Sequence, residues 1–176
     1  MAKLNSIADL RRVLPEPRPT TKAKILDALD DQSIDFLKRC PFALISTTSS
    51  DGTIEVSPKG DEPGFIRVED PQTLLIPERV GNNLAFGLSN MIDNGRIGLI
   101  CLVPATGETL RVSGTAEVFD DQELVASLSS LGKPALLATR VKIKRCYFHC
   151  ARSIVRAGLW KPETWPAGSR ANFGRQ

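Results

Sequence analysis

The pattern of apolar and polar positions changes character along the chain. Residues 4–14 and 22–39 carry helical spacing, with Ile25, Leu29, Ile34 and Leu37 as the inward positions of the second stretch and Asp31 or Ser33 as a cap within it. Pro15, Pro17 and Pro19 separate the two stretches, and Pro41 closes the region. Residues 42–48 then read as a strand running into a turn at Ser50-Asp51-Gly52, and residues 53–57 as its returning partner. Turn chemistry at Glu62-Pro63-Gly64 and Asp70-Pro71 brackets a short extended piece, after which residues 73–76 form a strand that Pro77 is expected to stop. Leu84, Leu88, Met91 and Ile92 recur at helical intervals within residues 82–93, and Asn94-Gly95 supplies the stop. The strongest strand signals are residues 96–103 and 108–119, joined through Pro104-Ala105-Thr106-Gly107. A helix over residues 121–131, capped by Asp120 or Asp121, precedes a last strand over residues 136–150.

About six strands with helices inserted among them, rather than alternating regularly with them, predict a mainly β, antiparallel barrel instead of a parallel βαβ sheet. At 176 residues and 41% apolar content the chain suits one compact domain: a helical segment at 1–40, the barrel at 41–150 and a C-terminal segment at 151–176. The net charge of +3 is dispersed, which points away from nucleic acid as a partner, and one or two well-placed cations would still fix a phosphate. Apolar runs such as residues 97–103 are far below the roughly 20 residues of a membrane-spanning helix. The N-terminal stretch places Asp9, Arg11 and Arg12 where a signal peptide would be apolar, and four cysteines make no disulfide framework; a cytoplasmic protein with reduced thiols is expected.

Two stretches carry candidate chemistry. Ser57-Pro58-Lys59-Gly60-Asp61 offers a hydroxyl, a cation, a glycine and a carboxylate after a strand, a set that can grip a polar ring edge and equally suits a surface turn. Pro77-Glu78-Arg79-Val80-Gly81-Asn82-Asn83 lies between a strand and a helix, where free amides, the helix dipole, a permissive Gly81 and the Arg79 guanidinium favour an anion; a plain Asn-capped helix is the alternative. Neither stretch is a phosphate-cradling GxxxxGK[ST] loop or a GxGxxG turn, and His149 is the sole histidine, which leaves no Ser-His-Asp system. Cys146, His149 and Cys150 lack a fourth zinc ligand and read as packed, reduced side chains.

The segments SPKGDEPGF, LLIPERVGNNLAFG, GLICLVPATGETLRVSGTAEV and CYFHCARSIVRAGLW resemble, in that order, the pyridoxamine 5'-phosphate oxidase-like FMN-binding split-barrel proteins, over roughly residues 36–165. The resemblance implies a six-stranded Greek-key split barrel, a homodimer with two equivalent FMN sites at the subunit interface, and a small-molecule redox substrate. Carried over by position, it places Ser57, Pro58 and Lys59 near the isoalloxazine or ribityl chain. It places Arg79, Asn82 and Asn83 near the phosphate, and Trp160 near the ring from the partner chain. Relatives with a basic residue at position 83 or 84 differ from this chain, whose Asn83 and Leu84 are neutral, so Arg79 and Lys59 carry the phosphate reading. The pyridoxamine-phosphate substrate set is not recognisable. An FMN-dependent oxidoreductase is the leading expectation; a flavin carrier or sensor without turnover, a deazaflavin-dependent reductase and an empty barrel used as an interaction module are the alternatives.

Overall fold

The computed structural model describes residues 3–81, 83–150 and 152–168. Three short helices come first: α1 (Ile7–Val13), α2 (Pro19–Lys22) and α3 (Asp31–Lys38). The long helix expected over residues 22–39 is confined to α3, because Asp30 is the cap: its carboxylate accepts the Ser33 amide at 2.8 Å. The residues before it are held instead by the last strand, Leu26 exchanging backbone hydrogen bonds with Cys146.

Among the described residues seven strands follow, β1 (Phe42–Thr48), β2 (Ile54–Gly60), β3 (Arg67–Asp70), β4 (Thr73–Glu78), β5 (Arg96–Leu102), β6 (Glu108–Phe119) and β7 (Leu137–Cys150). They form one antiparallel sheet in the order β2-β1-β5-β6-β7-β4-β3. The mainly β class expected from the pattern stands; the count is seven rather than six, because the short piece between the two turn signals pairs with β4 as an edge strand. Helices α4 (Phe86–Asn94) and α5 (Gln122–Ser127) interrupt the strands, and α6 (Arg152–Arg156) follows them.

Two prolines lie inside strands where the sequence pattern suggested loop. Pro58 is on β2, whose only strand neighbour is β1, and Pro77 is on β4 beyond the reach of β3, so in both cases the missing N–H faces no ladder partner. β4 is buried on both faces. Leu74 and Ile76 enter the main core with Leu110 and Val141, while Leu75 packs under α5 with Val125, Leu128 and Ala138. A continuous apolar run is the signature of such a two-sided strand.

The sheet curls until β2, at one edge, meets the end of β4. No ladder joins them; the closure is made by side chains, Lys59 to Glu78 and Asp61 to Arg79. The barrel is therefore split along an ionic seam.

Candidate functional site

Period-two alternation decides what β2 presents: Ser57 and Lys59 are half-buried on the inner side, and Pro58 and Gly60 face out. On β4 the same alternation turns Glu78 inward in line with Leu74 and Ile76, and the strand ends there, leaving Arg79, Val80 and Gly81 as a loop over the barrel rim. The two stretches singled out in the sequence thus converge. Pro58, Lys59, Arg79 and Gly81 line one cleft of about 210 Å³ together with Asp61, Phe65, Pro77 and Val80.

Both cations of the cleft are paired internally. The Lys59 ammonium donates to the Glu78 carboxylate, with only 16% and 4% of the two side chains exposed. Arg79 donates through Nε to Asp61 at 2.6 Å and through Nη2 to the Leu128 carbonyl at 2.8 Å, while its Nη1 is enclosed without a protein partner among the described residues. Asp61 also accepts the Ser130 hydroxyl at 2.6 Å and the Glu62 amide at 2.8 Å. Burial pushes the Asp61 carboxyl up, but the hydrogen bonds from Ser130 and Arg79 outweigh it and leave it below the usual carboxylate range. Arg79 consequently stands as a fixed guanidinium, tied at one side to Asp61 just past the end of β2 and at the other to the turn after α5.

Gly81 has φ of +127°, a conformation glycine adopts freely, and the position of an added Cβ is open, with no heavy atom within 4 Å. Backbone can approach a ligand closely there. The expected helix N-terminus behind it is displaced: α4 begins at Phe86, and its cap is Ala85 in the left-handed region at φ 52°, with no side-chain cap bond. Asn83 sits exposed in the intervening turn and does not line the cleft, and Asn82 lies outside the described residues. Ser57 does not line the cleft either. Trp160, beyond α6, is half-buried with its Nε1 enclosed and without a partner among the described residues, and it is not among the cleft residues of its own chain.

The residues that sequence reasoning passed over lie on the outer face of the sheet. Leu44, Val56 and Ile100 form a groove of about 300 Å³ flanked by Arg111, Arg145 and Tyr147. Around it Phe42, Ile54 and Val56 are 39%, 66% and 57% exposed. The signal was present in residues 42–48, whose alternate positions Phe42 and Leu44 are apolar where a solvent face would be polar. Elsewhere, Cys146 is buried with its thiol donating to the Ala28 carbonyl at 3.2 Å, whereas His149 and Cys150 are exposed. No group of three or more metal-ligating side chains occurs among the described residues. No described helix is long and apolar enough to cross a membrane.

Similarities to known proteins follow the same core. Among solved structures the chain is similar to HupZ of Group A Streptococcus, with 16% identity over 70% of this chain and 95% of that one and a TM-score of 0.57. It is similar to a Clostridium acetobutylicum protein related to general stress protein 26 of the pyridoxinephosphate oxidase family (12% identity, 68% and 87% coverage, TM-score 0.52). General Stress Protein 26 of Bacillus anthracis is a third, at 10% identity, 66% and 91% coverage and a TM-score of 0.51. Identities this low speak for the fold alone. No curated protein matches the sequence. The family model described as pyridoxamine 5'-phosphate oxidase matches residues 29–150, from the cap of α3 through the whole of β7, and the chain belongs to that family.

Proposed function

We propose that the chain is an FMN-binding flavoprotein, acting as a homodimer and as an oxidoreductase on a small molecule. The observation that carries this reading is the convergence of Lys59, Arg79 and Gly81, from the ends of two strands that share no ladder, on one cleft in a member of this family. The residues fit a flavin phosphate in kind: a permanently charged guanidinium on the cleft wall and an open glycine backbone beside it. When bound, the flavin supplies the electron-transfer chemistry. The chain's own residues orient it. Arg79 and the Val80-Gly81 backbone hold the phosphate, and Pro58 and Lys59 meet the ring or ribityl chain. Trp160 covers the ring of the other subunit.

The homodimer is supported by the apolar outer face of β1, β2 and β5, a surface that a lone chain in water leaves uncovered. Four unpaired thiols, three of them buried, suit a reducing, cytoplasmic setting.

A second reading, a flavin carrier or sensor without turnover, draws on the internal pairing of both cleft cations, which leaves no free acid–base group there. Anaerobic addition of NADH, NADPH or a reduced deazaflavin to the flavin-loaded protein separates the two. The oxidoreductase reading expects the flavin to bleach within seconds to minutes and to recover with an electron acceptor. Persistent yellow colour with every donor would establish the carrier.

A further inference from the structure

Glu78 is the one buried carboxylate among the described residues. It lies where the alternation of β4 calls for a third apolar side chain after Leu74 and Ile76. One carboxylate oxygen takes the Lys59 ammonium; the other, Oε1, is enclosed without a partner among the described residues. Removing a carboxylate from water costs several kcal/mol, and a half-satisfied buried pair does not recover all of it. The charge does, however, act on Lys59, which reaches the wall of the cleft from β2. It fixes the direction of a flexible ammonium group and cancels its field toward anything bound beside it.

We propose that Glu78 is a positioning residue that sets the charge felt by the bound flavin, by holding and compensating Lys59. The inference rests on the flavin reading above and adds a control residue to it. A reduced flavin carries more negative charge than an oxidised one, so an uncompensated Lys59 favours the reduced form and a compensated one does not. Glu78→Gln keeps the shape and an acceptor but removes the charge, and Lys59→Gln leaves the carboxylate alone.

The test is the two-electron reduction potential of bound FMN, measured by equilibration with a reference dye in wild type, E78Q, K59Q, E78D and K59Q/E78Q. Wild type must first take up FMN; a colourless protein that ignores added FMN overturns the flavin reading and this proposal with it. With FMN bound, E78Q raises the potential by at least a tenfold shift in the reduction equilibrium, about 30 mV. K59Q lowers it by a similar amount, E78D stays near wild type, and the double variant falls between the single ones. If E78Q does not fold, the rise in potential from K59Q to K59Q/E78Q reports the Glu78 charge instead, and no rise overturns its role. An unchanged potential in both single variants overturns the role of Glu78, as does an equal rise in E78Q and K59Q/E78Q, because the effect would then not pass through Lys59.

Discussion

Gly114→Ala should lower stability by about 3 kcal/mol or more, a melting temperature roughly 6–12 °C lower for a chain of this size. Gly114 sits at the register shift between β6 and β7, where Ser113 faces Arg145 but Gly114 faces Ile143. A Cβ there would lie 1.9 Å from the Lys142 carbonyl oxygen and 2.9 Å from its carbon. Both are backbone atoms of the pairing strand, so no side chain can rotate away and the two longest strands must part. Gly98→Ala is the control, because the nearest atom to its added Cβ is the Val112 oxygen at 4.0 Å. Thermal unfolding of the two variants should show a large loss for position 114 and a change within about 1 kcal/mol for position 98.

Lys59→Met is the second large effect. It leaves the Glu78 carboxylate enclosed with neither oxygen partnered, and breaking a buried pair from one side costs about 3–5 kcal/mol. The cost belongs to the orphaned charge rather than to the lost lysine. Adding Glu78→Leu should therefore return most of the stability, since an apolar pair of similar volume continues the row begun by Leu74 and Ile76. Urea unfolding of the single and double variants checks this: a midpoint that falls sharply in K59M and recovers in K59M/E78L is expected, and equal midpoints for both would show that the pair does not close the barrel.

The pattern of hydrophobic positions located most strands because each has at least one face in the core. The run at residues 42–48, the pair at 96–103 and 108–119 and the strand at 136–150 appear within a residue or so as β1, β5, β6 and β7. Errors arose where local chemistry was overruled by position in the sheet. Pro58 and Pro77 read as loop, yet both sit on strand segments with an unpaired side, and so the Ser57-Pro58-Lys59 cluster belongs to β2 instead of following it. The helical spacing from position 22 was real for α3 only, because the backbone of Leu26 is claimed by β7 from 120 residues away, a pairing no local pattern reveals.

The candidate site was legible as two cations and a glycine, and the structure brings Lys59, Arg79 and Gly81 to one cleft. What the sequence hid was their internal neutralisation. Asp61 and Glu78 were visible as members of the two motifs, but only the curl of the sheet, bringing one edge against β4, pairs each with a cation of the other motif. Ser130 and the Leu128 carbonyl, which complete the hold on Arg79 and Asp61, come from the turn after α5 and carried no signal at all.

Titration of wild type and Arg79→Ala with FMN and with riboflavin, followed by flavin fluorescence, decides whether this cleft holds FMN by its phosphate. Riboflavin has the same ring and no phosphate, so it separates loss of the anchor from damage to the fold when Arg79 leaves Asp61 and Leu128. Wild type should saturate with FMN and R79A should bind FMN about one to two decades more weakly, the roughly 1.5–3 kcal/mol of a charge-assisted contact, with riboflavin affinity nearly unchanged. Equal weakening for both ligands, or none for either, would contradict it.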